Sequence, residues 1–241
     1  MRLLVTRPEV DARRQAELLS ACGHKPVLAP LLAIEPASDV SLELDGAQAL
    51  IVTSRNSLRV LATHPDLVRA LELPLYAAGE ATAKAAAELG FKTVPTGRET
   101  AEMLARLISS ALKPNAGPLV HLSGESVAFD LKSALEAQGF RVRQPVLYRT
   151  VPATKLPDAA LALLTAGKLD GVILMSPRTA ATFAALVVRH GAVTQASRLD
   201  YYCLSARVAR AVEPLKARVI VAAHPREEEL LALISPEAAS S

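Results

Sequence analysis

Short apolar runs alternate along the chain with longer segments in which apolar residues recur at helical spacing. This alternation is typical of βαβ units, in which parallel strands are connected by helices. The predicted strands are Leu3–Val5, Ala49–Val52, Leu75–Ala78, Leu119–Leu122, Gly171–Met175 and Tyr201–Leu204. The pattern therefore predicts an α/β protein built on open parallel sheets.

Each predicted strand ends in small or polar residues, after which we expect a helix to begin. The junctions are Thr6-Arg7-Pro8, Thr53-Ser54-Arg55-Asn56, Gly79-Glu80-Ala81-Thr82, Ser123-Gly124-Glu125-Ser126, Ser176-Pro177-Arg178-Thr179 and Ser205-Ala206-Arg207. Ser, Thr and Gly at such points are ordinary helix N-caps. Ligands of open parallel sheets also bind beyond the carboxyl ends of the strands, so the same junctions are candidate binding positions.

The chain contains an internal repeat in the order A-B-A-B. Residues 2–36 resemble residues 118–152, and residues 49–108 resemble residues 171–234. Here A denotes the first repeated unit and B the second, and the repeat predicts two similar sheets. It allows two ways of forming domains: either each domain is A followed by B, or the middle B and A form one domain and the two chain ends form the other. The extended apolar segments Leu31–Glu35 and Val146–Thr150 are suited to run side by side as a hinge, which favours the second pairing.

Composition narrows the classes of partner. The 241 residues are 51% hydrophobic and 21% charged, which suits packed cores and leaves room for two domains of roughly 100 to 120 residues. A net charge of +3 from scattered Lys and Arg, with 3% aromatics and no Trp, argues against a nucleic-acid partner and mildly favours an anionic ligand. Without a signal-peptide core or an 18-residue apolar run, we expect a cytoplasmic protein with no membrane contact. Cys22 and Cys203 are expected to pack in cores.

The motifs of nucleotide, zinc-protease and serine-hydrolase sites are missing, and the five histidines lack the spacing of metal ligands. We therefore expect no metal and no cofactor. His121, inside a predicted strand, is expected to be a packed or hydrogen-bonded histidine rather than a catalytic one. Glu80 and Glu125 each follow a junction glycine, and we interpret them first as partners of a helix dipole and second as acids.

Tyr148 is the candidate acid of the sequence. It lies on the presumed hinge strand, and a phenol with a pKa near 10 stays protonated at neutral pH and can donate a proton to a leaving hydroxyl. The alternative is a tyrosine that only packs on an exposed strand.

Taken in order, several short motifs resemble the uroporphyrinogen-III synthase family over residues 2 to about 234. They are Val5–Pro8, Thr53–Ser57, Ala78-Gly79 with Thr82-Ala83, Leu122–Glu125, Leu147–Thr150, Met175–Pro177 and Leu204–Ala209. The resemblance implies two similar open parallel-sheet, flavodoxin-like domains with a cleft between them. Residues 1–35 and 152–241 would form one domain and residues 36–151 the other, joined by a two-stranded connector.

The resemblance also implies a cofactor-free lyase that closes hydroxymethylbilane to uroporphyrinogen III, in haem biosynthesis, with loss of water and inversion of ring D. Tyr148 matches the tyrosine proposed to assist departure of the hydroxyl. The positions implied to bind the substrate are Thr6, Arg7, Thr53, Ser54, Arg55, Gly79, Thr82, Ser123, Gly124, Glu125, Ser176, Pro177, Ser205 and Arg207. Some members have a Gly and a Thr-Thr pair where this chain has Ser205, Arg207 and Val208, so Arg207 is expected to supply charge instead of a hydroxyl.

From the family we also expect a monomer, open to transient contact with the preceding enzyme of the pathway. The main alternative function is a non-enzymatic two-domain α/β protein that binds a small anionic ligand. A transferase acting on sugar nucleotides is a third interpretation, which would need a diphosphate-binding loop.

Overall fold

The computed structural model describes residues 1–97, 100–127 and 129–234. Its strands are β1 (Arg2–Val5), β2 (Lys25–Leu28), β3 (Leu32–Pro36), β4 (Ala49–Val52), β5 (Leu75–Ala78), β6 (Thr96–Gly97), β7 (Leu119–Gly124), β8 (Val142–Arg143), β9 (Val146–Pro152), β10 (Gly171–Leu174), β11 (Asp200–Cys203) and β12 (Arg218–Val221). Its helices are α1 (Glu9–Ala21), α2 (Arg55–Leu61), α3 (Leu67–Ala70), α4 (Glu80–Leu89), α5 (Ala101–Ala111), α6 (Leu131–Glu136), α7 (Asp158–Thr165), α8 (Pro177–Arg189), α9 (Val193–Ala196), α10 (Ala206–Arg210) and α11 (Glu227–Ile234), with a 3₁₀ turn at Glu213–Leu215.

The chain divides into two compact units. Unit 1 contains residues 1–33 and 151–241, and unit 2 contains residues 34–150. The chain passes from one unit to the other within β3 and within β9, which pair with each other. Hydrogen bonds from the Ala37 N–H to the Leu147 carbonyl (2.8 Å) and from the Ala153 N–H to the Leu31 carbonyl (2.9 Å) make this pairing antiparallel. The domain boundaries expected from the sequence stay a prediction, because compactness alone does not show that a unit folds independently.

The sheet of unit 1 has the strand order β12-β11-β10-β1-β2, with every neighbouring pair parallel. Counted along unit 1, this is the order 2-1-3-4-5 of flavodoxin-like folds. Leu4 and Val172 pack in one apolar cluster, whereas Leu3 and Ile173 pack in another. Since side chains alternate along a strand, the central strands β1 and β10 are buried on both faces.

Unit 2 has the same spatial arrangement. Its strands β6-β5-β4-β7-β8 are all parallel and correspond one by one to β12-β11-β10-β1-β2, as the internal repeat predicts. The chain enters this sheet at β4 rather than at the strand equivalent to β1, so unit 2 is a circularly permuted copy. In both sheets successive connections leave in opposite directions from one central pair of strands, β1 and β10 in unit 1 and β4 and β7 in unit 2. This switch point is where open α/β sheets bind ligands.

The structure corrects the sequence interpretation at several points. The pattern missed β2, β6, β8 and β12. No helix follows the junction after β7 at once, because β7 extends through Gly124 and α6 begins only at Leu131, where the Asp130 carboxylate accepts from the Ser133 N–H. Cys203 is buried as expected, but Cys22 is exposed at the end of α1, so its expected place in a core is wrong. Among the described residues, no helix combines the length and apolar character needed to cross a membrane.

Candidate functional site

The predicted site residues lie in two groups, each at the carboxyl edge of one parallel sheet. Because adjacent parallel strands end at the same edge, the junctions within each unit are neighbours. The group of unit 1 follows β1, β10 and β11 and contains Thr6, Arg7, Ser176, Pro177, Ser205 and Arg207. The group of unit 2 lies at the carboxyl ends of β4, β5 and β7 and contains Thr53, Ser54, Arg55, Gly79, Thr82, Ser123, Gly124 and Glu125, of which Ser123 and Gly124 are the last two residues of β7.

Three junction serines are helix N-caps. The Ser54 hydroxyl accepts from the Asn56 N–H (3.2 Å), Ser176 from the Thr179 N–H (3.1 Å) and Ser205 from the Val208 N–H (3.4 Å). Capping uses a lone pair of the oxygen and leaves the hydroxyl proton to be donated. For Ser176 the Thr179 hydroxyl is a second partner at 2.8 Å. The structure thus confirms the N-cap interpretation for these three, and any contact with substrate would add to it.

Other predicted hydroxyls are buried. Thr6 is fully buried and donates to the Ile173 carbonyl at 2.6 Å, which ties β1 to β10 at the switch point. Ser123 is 1% exposed, and its oxygen accepts from the Gln144 amide at 3.3 Å. Thr82 lies buried in the first turn of α4. A direct hydroxyl contact with substrate stays a prediction for all three, and Thr6 already donates its only hydroxyl proton.

Arg7 belongs to an ionic network at the edge of unit 1. Its guanidinium lies 2.8 Å from the Glu227 carboxylate, and these side chains are only 12% and 13% exposed. The same carboxylate accepts from Arg14 and, at 3.2 Å, from the Gln15 amide. Asp11 lies 4.0 Å from Arg7. Two carboxylates therefore balance two guanidinium groups, and Arg7 presents little uncompensated charge to a ligand.

Tyr148 lies against Gly124 at the carboxyl end of β7. β7 pairs with β8 at Leu119 and Val120, and then with β9 at Ser123 and Gly124 across an irregular register. The Glu125 N–H donates to the Tyr148 carbonyl at 2.9 Å. A Cβ added at Gly124 would lie 2.6 Å from the ring carbon Cζ of Tyr148 and 2.9 Å from its hydroxyl oxygen. Only a glycine at position 124 therefore leaves room for the phenol in this position.

His121 contacts Thr53 across the switch point of unit 2. The imidazole is 1% exposed, and its Nε2 lies 3.4 Å from the Thr53 hydroxyl. Burial lowers the pKa of His121 to about 4, so the imidazole is neutral at pH 7. The expectation of a packed, hydrogen-bonded histidine is confirmed. Its contact with a candidate substrate-binding residue was not predicted from the sequence.

The remaining predicted residues lie at the surface of these edges. Arg207 is exposed in α10, Arg55 begins α2 half-buried, and Pro177 begins α8. Gly79 precedes α4 with a φ of 75°, a left-handed conformation that favours glycine. Glu80 lies in the first turn of α4, as a dipole partner should, but Glu125 lies in no helix, so the dipole interpretation of Glu125 is wrong.

Sequence reasoning missed two contacts at these edges, that of Glu227 with Arg7 and that of His121 with Thr53. Glu227 opens the acidic run Glu227-Glu228-Glu229 at the start of α11, a signal that indicates a helix N-terminus but not its partner. In the described part of the chain, no group of His, Cys, Asp and Glu side chains has the arrangement of a metal site.

Comparisons with known proteins identify the family. A family model described as uroporphyrinogen-III synthase HemD matches residues 13–232. The crystal structure of uroporphyrinogen-III synthetase from Helicobacter pylori is similar with a TM-score of 0.68 at 18% identity, covering 97% of each chain. A mutant uroporphyrinogen III synthase from Thermus thermophilus is similar with a TM-score of 0.59 at 17% identity, covering 99% of this chain and 97% of that one. A search of curated proteins found no significant match.

At such identities the structural likeness establishes the fold alone, and the family match over most of the chain establishes membership. The fold class expected from the sequence, α/β with two parallel sheets, is confirmed. The chain therefore belongs to the uroporphyrinogen-III synthase (HemD) family.

Proposed function

We propose that the chain closes hydroxymethylbilane to uroporphyrinogen III, as a lyase that removes water and inverts ring D. The observation that carries this proposal is the family match over residues 13–232, which contain all the predicted site residues beyond β1 and its junction. The substrate is a linear tetrapyrrole with eight carboxylates, as the family chemistry implies.

The donors at the two sheet edges suit a polycarboxylate. The capping serines Ser54 and Ser205 keep a hydroxyl proton to donate. Thr53, Arg55 and Arg207 lie at the same edges. A carboxylate accepts hydrogen bonds only, so a surface of donors recognises it without a metal. We propose that these residues hold the carboxylate arms, and that Thr6, Arg7 and Ser123 contribute mainly by fixing the edges.

Tyr148 is the proposed general acid. The phenol donates its proton to the terminal hydroxyl of the substrate, which leaves as water. The cation that develops on the bilane is then attacked by ring D of the same bound molecule. Tyr148 is 7% exposed and its ring lies on Gly124, so the position of the phenol is set by packing and not by a flexible loop. Positioning of ring D, rather than strong acid-base catalysis, would then decide which isomer forms.

We further propose that the protein acts as a monomer in the cytoplasm on this small-molecule substrate. Transient contact with the enzyme that supplies the bilane stays part of this proposal. A binding protein without activity, the main alternative, has the same sheet edges but would not need a phenol held against a glycine.

The test is incubation of the purified protein with freshly prepared hydroxymethylbilane, followed by oxidation and chromatographic separation of the isomers. The proposal predicts type III product in large excess over the type I product of spontaneous closure. A mixture identical to a protein-free control would show that the chain binds at most, and would favour the non-enzymatic alternative.

A further inference from the structure

His121 is a polar side chain in an otherwise apolar part of unit 2. It lies level with Ile51 in the pairing of β4 and β7, and side-chain alternation puts it on the same face as Ile51 and Leu119. Its side chain is almost completely buried there, and burial lowers the pKa of His121 to about 4. At neutral pH the imidazole therefore carries one N–H and one lone pair.

The two ring nitrogens have different surroundings. Nε2 lies 3.4 Å from the hydroxyl oxygen of Thr53, whereas Nδ1 is buried and has no hydrogen-bond partner among the described residues. A buried N–H without an acceptor is rarer and more costly than a buried lone pair without a donor. The proton therefore belongs on Nε2, which donates to Thr53, and the unpartnered Nδ1 carries only its lone pair.

This tautomer orients the hydroxyl of Thr53. Because the oxygen accepts from Nε2, its own proton points away from the imidazole and can be donated to another group. Thr53 is half-buried and directly follows β4, one residue before the N-cap Ser54, at the switch point where such sheets bind ligands. A hydroxyl fixed as a donor at this place matches a carboxylate, which can only accept.

The matching positions of unit 1 show that the fold does not require this pair. By the internal repeat and the strand register, Val5 takes the place of His121 and Met175 that of Thr53. Val5 and Met175 pack in one apolar cluster. The same junction is therefore built without a polar pair in unit 1, and the imidazole in unit 2 calls for a reason other than packing.

We propose that His121 is a positioning residue that holds the Thr53 hydroxyl as a hydrogen-bond donor to a carboxylate of the substrate. His121 itself does not touch the substrate. This proposal rests on the proposed function for the identity of the ligand, but the state of the imidazole can be measured without any ligand.

The first experiment is ¹⁵N NMR of the imidazoles in the folded, substrate-free chain, with His121 assigned by comparison with H121Q. The expected spectrum shows His121 protonated at Nε2 only, with shifts that do not change between pH 7.5 and about 5.5. A proton on Nδ1, or an imidazole that titrates near its ordinary pKa, would overturn the proposal whatever the activity of the protein.

The second experiment compares H121L, H121Q and T53V in the cyclisation assay. Loss of one hydrogen bond to a charged group predicts that H121L and T53V each raise KM about ten-fold with kcat within about two-fold of wild type. The side-chain amide of H121Q can replace Nε2, so its KM should stay within about three-fold of wild type. The double variant H121L/T53V should be no worse than T53V, because His121 acts only through the Thr53 hydroxyl.

A double variant whose KM rises by the product of the two single effects would overturn the proposal, as would a loss of kcat in H121L with KM unchanged. If H121L does not fold, T53V and the NMR experiment decide the question, since an unchanged KM in T53V or a proton on Nδ1 of His121 would overturn the proposal. If the wild-type chain makes no type III product, the proposed function fails, while the NMR result still decides the state of the imidazole.

Discussion

The two units share one strand order but differ in how their carboxyl edges are built. In unit 1 the buried Thr6 hydroxyl donates a hydrogen bond to the Ile173 carbonyl at this edge, and Arg7 forms an ion pair with Glu227 there. In unit 2 the matching edge holds the His121–Thr53 pair and the phenol of Tyr148 on Gly124. The polar side chains at the edge of unit 1 thus form hydrogen bonds and ion pairs with one another or with the backbone. At the edge of unit 2, the Thr53 hydroxyl and the Tyr148 phenol have protons that could be donated to a ligand.

This difference indicates that the two copies of the fold have different roles, with unit 1 contributing mainly stability and unit 2 mainly reactive groups. A balanced ionic network contributes stability and leaves little net charge, so unit 1 offers mainly capping hydroxyls and the exposed Arg207. Unit 2 carries the candidate acid. If this difference is functional, the polar features of unit 2 serve the reaction and those of unit 1 serve the fold.

The largest expected effect concerns His121 and pH. Its pKa is lowered by burial from 6.5 to about 4, so the unfolded chain binds a proton there before the folded chain does. The corresponding stability is complete above pH 6.5 and is lost as the pH falls towards 4. At about 1.4 kcal/mol per pH unit, the loss amounts to roughly 3 kcal/mol.

Urea denaturation at pH 7 and pH 4 measures this effect. The decrease in unfolding free energy between the two pH values should be about 3 kcal/mol smaller in H121Q than in wild type. An equal decrease in both proteins would mean that His121 is not buried in a neutral form. The comparison with Val5, its counterpart in unit 1, would then give no reason to assign His121 a special role.

Gly124→Ala should reduce turnover strongly. The φ of Gly124 is not in the left-handed region, so alanine suits the backbone, and the harm comes from a Cβ 2.6 Å from the Tyr148 ring. Displacement of a catalytic group by about 1 Å costs on the order of 100-fold in kcat. Steady-state kinetics with hydroxymethylbilane tests this.

Tyr148→Phe is the matched variant for Gly124→Ala. It should lower kcat by about 100-fold while leaving residual activity and KM nearly unchanged, since it removes the proton but keeps the ring. The double variant should be little worse than either alone. Unchanged turnover in Tyr148→Phe would remove the general-acid role and leave Tyr148 as a packed side chain.

Glu227→Gln tests whether the edge of unit 1 serves stability. The change removes the charge of a carboxylate that is 13% exposed and is shared by Arg7, itself 12% exposed, and the more exposed Arg14. It should lower the unfolding free energy by about 2 kcal/mol. Glu9→Gln is the control, because its pair with Arg13 is 67% and 54% exposed and should matter by less than about 1 kcal/mol. Equal effects of the two substitutions would contradict the structural role.

The smallest effect is expected from the cap of α8. Ser176→Ala removes the acceptor of the Thr179 N–H and should lower the unfolding free energy by about 1 kcal/mol. Ser176→Asp keeps a cap and should restore most of the stability. If Ser176 also binds a carboxylate, Ser176→Asp should raise KM through repulsion, and an unchanged KM would confine the residue to capping.

Much of the fold could be predicted because its signals are local. The six central strands are largely buried on both faces, and the ends of four of them are marked by an N-cap serine or glycine. Strands β2 and β12 escaped prediction because they are edge strands with weaker apolar patterns: β2 contains Pro26, and β12 has an exposed residue at each end.

The site was less predictable because its contacts join distant segments. Thr53 and His121 meet only because β4 and β7 pair, and Arg7 meets Glu227 only because α11 packs near the start of the chain. The length of β7 was set by pairing with β9 at Tyr148, which no pattern around Gly124 indicates. Local residue types therefore predicted the positions of the junctions but not the partners of their side chains.

The proposed activity and the role of Tyr148 are tested most directly by the isomer ratio formed from hydroxymethylbilane by the wild-type protein and by Tyr148→Phe. Type III product is expected in large excess with wild type. The variant should react more slowly and still favour type III, because positioning by the sheet edges persists when the acid is lost. Type I product at the protein-free rate with the wild-type protein would contradict the proposed activity.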